Sequence, residues 1–154
     1  MVPLADQIVN ALEGAAGLYH RLILVVGPAG AGKTAALQKV SAGVGAPIVN
    51  VNLELSRRML DLTERQRILQ LPRLLGTLVD DAKSDVVLLD NIEVLFDVAL
   101  KQDALRLLQG ISRSKTIVAA WNGAVKDEHV TYATPDHHEY RRYPIKDLLV
   151  LTSD

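Results

Sequence analysis

Leu22-Ile23-Leu24-Val25-Val26-Gly27-Pro28-Ala29-Gly30-Ala31-Gly32-Lys33-Thr34 is the stretch on which the reading of this chain turns. A short apolar run ending at Gly27 has the pattern of a strand buried on both faces. The residues from Gly27 to Thr34 then match GxxxxGK[ST] without a departure, and residues 33–43 carry a helical pattern that stops near Gly43 and Gly45. Strand, glycine-rich turn and helix in that order make a phosphate cradle. Glycines let successive backbone N–H groups turn inward, and the helix adds its positive dipole end. Gly27, Pro28, Ala29, Gly30, Ala31 and Gly32 are therefore candidate nucleotide-binding residues. Lys33 is the candidate cation for the β- and γ-phosphates of ATP, and Thr34 the candidate hydroxyl ligand of Mg²⁺. The alternative, a glycine-rich turn beside a surface lysine, leaves the complete match unexplained.

Further along, Val86-Val87-Leu88-Leu89-Asp90 is another buried strand, with an acid at its C-terminal end. That arrangement sets Asp90 beside the phosphate loop, where it would hold Mg²⁺ together with Thr34; the competing role is a cap on the turn after the strand. Hydrolysis needs a base as well. The next residues are Asn91-Ile92-Glu93. A neutral amide orients water but does not accept its proton, so Glu93 is favoured over Asn91, provided the chain curls after the strand. A solvated glutamate opening the next turn is the alternative. Thr116–Trp121 is a fourth strand ending at Asn122-Gly123. If it lies between the strands of Gly27 and Asp90, Asn122 sits beside the γ-phosphate; otherwise Asn-Gly is a chain reversal.

The remaining pattern predicts a helix over 4–16, a strand over Pro47–Leu53, and a charged helical region over 55–82 interrupted at Pro72. A helix over 98–110, a polar loop-rich segment over 123–142 and a last strand over Ile145–Leu151 follow. Strands alternating with helices predict an α/β fold with a parallel sheet covered on both faces. Residues 1–154 are expected to be a single P-loop NTPase domain.

Composition narrows the classes. Of 154 residues, 49% are hydrophobic and 23% charged, which is enough for a core and excludes disorder. The net charge of −1 gives no global positive field, so any DNA contact would be local. With no cysteine there are no disulfides or thiolate metal sites, which fits a reducing cytoplasm. The first residues lack a basic n-region, and no apolar run approaches the ~18 residues of a membrane span. A soluble, cytoplasmic protein without membrane contact is the expectation. His137-His138 are expected to point to opposite sides of an extended segment, and Trp121 to serve packing. Arg57, Arg58, Arg65, Arg67 and Arg73, interleaved with acids, are expected to form a solvated helical face, with a partner surface as the sharper option.

The phosphate loop, LLDNIEVLF, AAWNG and the pair Arg141-Arg142 before the last strand together resemble the AAA+ branch of P-loop ATPases. The resemblance implies the strand order 5-1-4-3-2 and an arginine donated to a neighbouring subunit's site. Arg142 is the first choice, then Arg141, with Arg113 as an outside candidate. AAA+ proteins carry a helical lid after the fifth strand, and none is expected here, so a neighbour would have to cover the nucleotide. The small size, the segment VNVNLELSRRMLDLTERQRILQLPRLL and the ending DNIEVLF look like the BrxF family. These are small P-loop components of type 3 bacteriophage-exclusion (BREX) defence systems. That likeness implies a homo-oligomer, or a subunit bound to other defence proteins, acting against phage DNA. Two further readings stay open: a switch or scaffold that binds ATP and barely hydrolyses it, and a small-molecule kinase.

Overall fold

The β1 strand, Leu22–Gly27, is buried along its whole length because it pairs in parallel on both sides. The computed structural model describes residues 2–153; Met1 and Asp154, the ends of the expected domain, lie outside them. Around β1 run α1 (Leu4–Ala15), α2 (Lys33–Val44), β2 (Ile48–Asn50), α3 (Val51–Met59), α4 (Glu64–Asp81) and β3 (Val86–Asp90). Then come α5 (Ala104–Ile111), β4 (Thr116–Lys126), β5 (His129–Tyr132), β6 (Arg141–Pro144) and β7 (Leu149–Thr152). The parallel strands lie in the order β7-β1-β4-β3-β2, which is the expected 5-1-4-3-2. β5 and β6 extend β4 as antiparallel strands.

Alternation along β1 builds two cores. Leu22, Leu24 and Val26 join α3, α4 and α5 on one face; Ile23 and Val25 join α1 and α2 on the other. No described helix is long and apolar enough to cross a membrane.

Five expectations need correction. The second strand does not run over 47–53: Asn50 accepts from Leu53 N–H at 3.1 Å and so starts a helix at Val51. The helical region over 55–82 breaks at Leu60–Thr63 and not at Pro72. Thr63 and Gln66 form a capping box there, with bonds of 3.2 Å and 2.9 Å. Pro72 lies inside α4, where its missing N–H frees the carbonyl of Ile68; Gln102 Nε2 donates to that oxygen at 2.8 Å. The expected helix over 98–110 begins only at Ala104, with Asp103 as its cap, after two 3-10 turns. The segment 123–142 is loop only in part, chiefly over 133–140: β4 passes through Asn122-Gly123, β5 pairs with β4 and β6 with β5, and the last parallel strand starts at Leu149 and not at Ile145.

Candidate functional site

The C-terminal ends of β1 and β3 meet the middle of β4 at one cleft of about 360 Å³. Its walls are Ala29, Gly30, Gly32, Lys33 and Thr34 from the glycine-rich turn, Asp90, Asn91 and Glu93 from the end of β3, and Ala120 and Asn122 from β4. All but Ala120 belong to the set expected from the sequence.

Gly30 and Gly32 adopt φ of 81° and 91°, the left-handed region that glycine enters without strain. Gly32 is the residue before α2, so the backbone N–H groups of that first turn open onto the cleft. Gly27, Pro28 and Ala31 shape the loop from behind. Ala31 N–H donates to Pro28 O at 3.2 Å, and Lys33 Nζ donates to Gly27 O at 2.8 Å and to Pro28 O at 2.7 Å. Burial lowers the Lys33 pKa, and the charges of Asp90 and Glu93 pull it back up.

Thr34 Oγ1 donates to Asp90 Oδ2 at 2.7 Å across the cleft. A hydroxyl and a carboxylate oxygen side by side are hard donors of the kind Mg²⁺ takes. The residues present therefore fit that ion.

Asn91 turns the chain after β3. Its φ is 53°, a conformation asparagine tolerates, its N–H donates to Asp90 Oδ1 at 3.0 Å, and its carbonyl accepts from Asn52 N–H at 2.9 Å. The curl brings Glu93 to the cleft wall at the start of a 3-10 turn, Glu93–Phe96. Burial raises the Glu93 pKa, its backbone hydrogen bond opposes this, and the Asp90 charge adds to the rise. Asn52 was not foreseen here. Its Oδ1 accepts from Val94 N–H at 2.7 Å, and its Nδ2 donates to Glu93 Oε1 at 3.4 Å. Asn50-Val51-Asn52 held the signal, since asparagines in an apolar run suit a helix start better than a strand.

Asn122 is in register with Gly27, on a strand lying between β1 and β3. Trp121 is fully buried and donates from Nε1 to Thr131 O at 3.1 Å.

The arginines lie elsewhere. Arg141 and Arg142 occupy β6 and do not line the cleft; Arg142 is exposed, and Arg141 donates to Tyr140 O at 2.9 Å. Arg113 precedes β4 at the opposite end of the sheet, its guanidinium 5.1 Å from the Tyr19 ring centroid. His137 and His138 do not diverge: a turn stacks their rings, with centroids 4.6 Å apart. Arg57 pairs with Glu54 at 3.3 Å, Arg58 with Asp81 at 3.5 Å, and Arg67 donates to Leu62 O at 3.1 Å.

The family model described as "ATPase family associated with various cellular activities (AAA)" matches residues 23–124. The chain belongs to the AAA family. The matched span runs from β1 through Asn122, so it holds every residue of the cleft and leaves Arg141 and Arg142 outside. Among solved structures, that of C. elegans PCH-2 is similar to this AAA-family chain at 19% identity and a TM-score of 0.44. The similarity covers 98% of this chain and 39% of that one, so the chain spans well under half of that protein's length. No curated protein matches the chain.

Proposed function

We propose that this AAA-family chain binds ATP with Mg²⁺ in the cleft and hydrolyses it, as an oligomeric or partner-bound component. The carrying observation is that the glycine-rich turn, the Thr34–Asp90 pair and Glu93 line one cleft. The turn's N–H groups and Lys33 would hold the phosphates, the lysine ammonium sharing itself with the Gly27 and Pro28 carbonyls. Thr34 and Asp90 would hold Mg²⁺, whose charge, when bound, offsets that of the phosphate oxygens. Glu93 takes the proton of the attacking water. Its raised pKa makes it a stronger base than an ordinary carboxylate, and Asn52 fixes its direction. Asn122 offers an amide within β4, opposite Gly27 and beside the loop.

An arginine from a neighbouring copy would complete the charge balance. Arg142 is favoured because burial alternates along β6, leaving it exposed while Arg141 turns inward. The finer assignment, a cytoplasmic BREX defence component acting with other defence proteins, draws its support from the small size and the sequence resemblance over residues 49–75 and 90–96. One observation also favours slow hydrolysis, as in a nucleotide switch: the residue following Asp90 is the amide Asn91, and the only acid on the cleft wall besides Asp90 is the amide-held Glu93 among the described residues.

ATP binding with and without Mg²⁺ tests the proposal. Lys33→Ala should lose nucleotide affinity, and Asp90→Ala should lose its Mg²⁺ dependence while remaining folded. Normal ATP binding by Lys33→Ala would refute the phosphate site. Phosphate release followed against protein concentration, with and without DNA, separates a concentration-dependent ATPase from a switch. Co-purification with neighbouring defence proteins tests the finer assignment.

A further inference from the structure

Glu93 opens a 3-10 turn whose last residue, Phe96, is buried. Leu95 N–H donates to Ile92 O at 2.9 Å and Asp97 N–H to Val94 O at 3.1 Å, so the turn is internally tied. Phe96 lies flat on Tyr132, the ring centroids 3.6 Å apart and the planes within 3°. Trp121 meets Phe96 edge-on at 5.0 Å. Tyr132 belongs to β5, where it is in register with Gly123 on one side and Arg141 on the other. Burial raises its phenol to about 12, and the charge of Glu93 adds to the rise. Nothing else in the β5–β6 hairpin stacks on this turn among the described residues.

We propose that Tyr132 is a positioning residue for Glu93. Its stack on Phe96 clamps the turn that Glu93 opens, so the β5–β6 hairpin sets the carboxylate's place without touching nucleotide. The inference rests on Glu93 being the base. It also gives the hairpin a role in linking the two, since the strand that presents Arg142 to a neighbour is paired directly to the residue that holds the base.

The test compares Tyr132→Leu, Tyr132→Phe, Glu93→Gln and the double variant Tyr132→Leu/Glu93→Gln by phosphate release and by ATP affinity. Tyr132→Leu should lower kcat about 10- to 100-fold, the scale of a small misplacement of a reacting group. KM and ATP affinity should stay within about twofold. Tyr132→Phe keeps the ring and should restore kcat. The double variant should be no slower than Glu93→Gln, because the clamp acts through the residue already disabled. Wild-type kcat in Tyr132→Leu overturns the inference. So does an equal loss in Tyr132→Phe, a parallel loss of kcat and affinity, or an undiminished effect of Tyr132→Leu on Glu93→Gln. Should Tyr132→Leu fail to fold, Phe96→Leu breaks the stack from its other side, and an unchanged kcat there is equally fatal. Full turnover by Glu93→Gln defeats the base assignment itself, a result distinct from failure of the clamp alone.

Discussion

Alanine at Gly123 should be among the most damaging small substitutions in this fold. A Cβ there overlaps the Thr131 carbonyl oxygen and comes within 2.9 Å of Trp121 Nε1 and 3.0 Å of the Thr131 carbonyl carbon. These atoms form the bond from the buried indole to β5, so the methyl group cannot be accommodated without parting it. Leaving a buried N–H unpaired costs about 1–3 kcal/mol, and forcing a methyl into a packed site costs about 1–3 kcal/mol more. The sum, about 2–6 kcal/mol, corresponds to a fall in Tm of roughly 5–20 °C for a chain of this size. Thermal unfolding followed by circular dichroism measures it, and the single tryptophan reports the local change by fluorescence. Gly14→Ala is the control: it lies in α1 with nothing within 4 Å of its added Cβ, and should be neutral or stabilising. A Tm within about 2 °C of wild type for Gly123→Ala would refute the reasoning, since it would mean that β5 shifts freely against Trp121.

Two further outcomes follow from the site. Because the folded-state pKa of Glu93 lies above its ordinary 4.5, its ionisation opposes folding: the associated stability is present below 4.5 and is lost as pH rises through the folded value. Glu93→Gln should therefore gain Tm over wild type at neutral pH and lose that gain below pH 4.5; a gain that persists in acid would contradict the burial argument. Mixing Arg142→Ala, which keeps its phosphate site, with Lys33→Ala, which keeps its arginine, should restore part of the phosphate release. The exposed arginine of one copy then serves the intact cleft of another, a contribution of about 10³–10⁵ in rate. An inactive mixture of subunits shown to exchange would rule out the arginine acting between copies.

The buried strands were legible because continuous apolar runs ended at Gly27 and Asp90, and the strand order followed from the family resemblance. Glu93 could be nominated but not placed, since its position depends on the left-handed backbone of Asn91 and on a bond from Asn52, a residue 41 positions away. Tertiary contacts misled the local patterns elsewhere. Pro72 looked like a helix break because the donor that compensates it, Gln102, is distant in sequence. Asn122-Gly123 read as the end of the fourth strand, with a turn as the alternative, yet β4 runs on through it and the glycine lets β5 approach Trp121. The polar segment after it hid a hairpin whose inward residues, Val130, Tyr132 and Tyr143, are spaced among charged and small neighbours.

The most direct measurement is ATP binding and phosphate release on the same preparation of Glu93→Gln, beside wild type. The substituted amide keeps the size of the glutamate and an oxygen that can accept from Asn52, and loses the charge and the affinity for a proton. ATP should bind as tightly as to wild type, with phosphate release lower by roughly 10²–10⁴. Phosphate release at the wild-type rate would contradict the assignment of Glu93 as base, and if Asn91→Ala abolished that release, orientation of the water by the Asn91 amide would take its place.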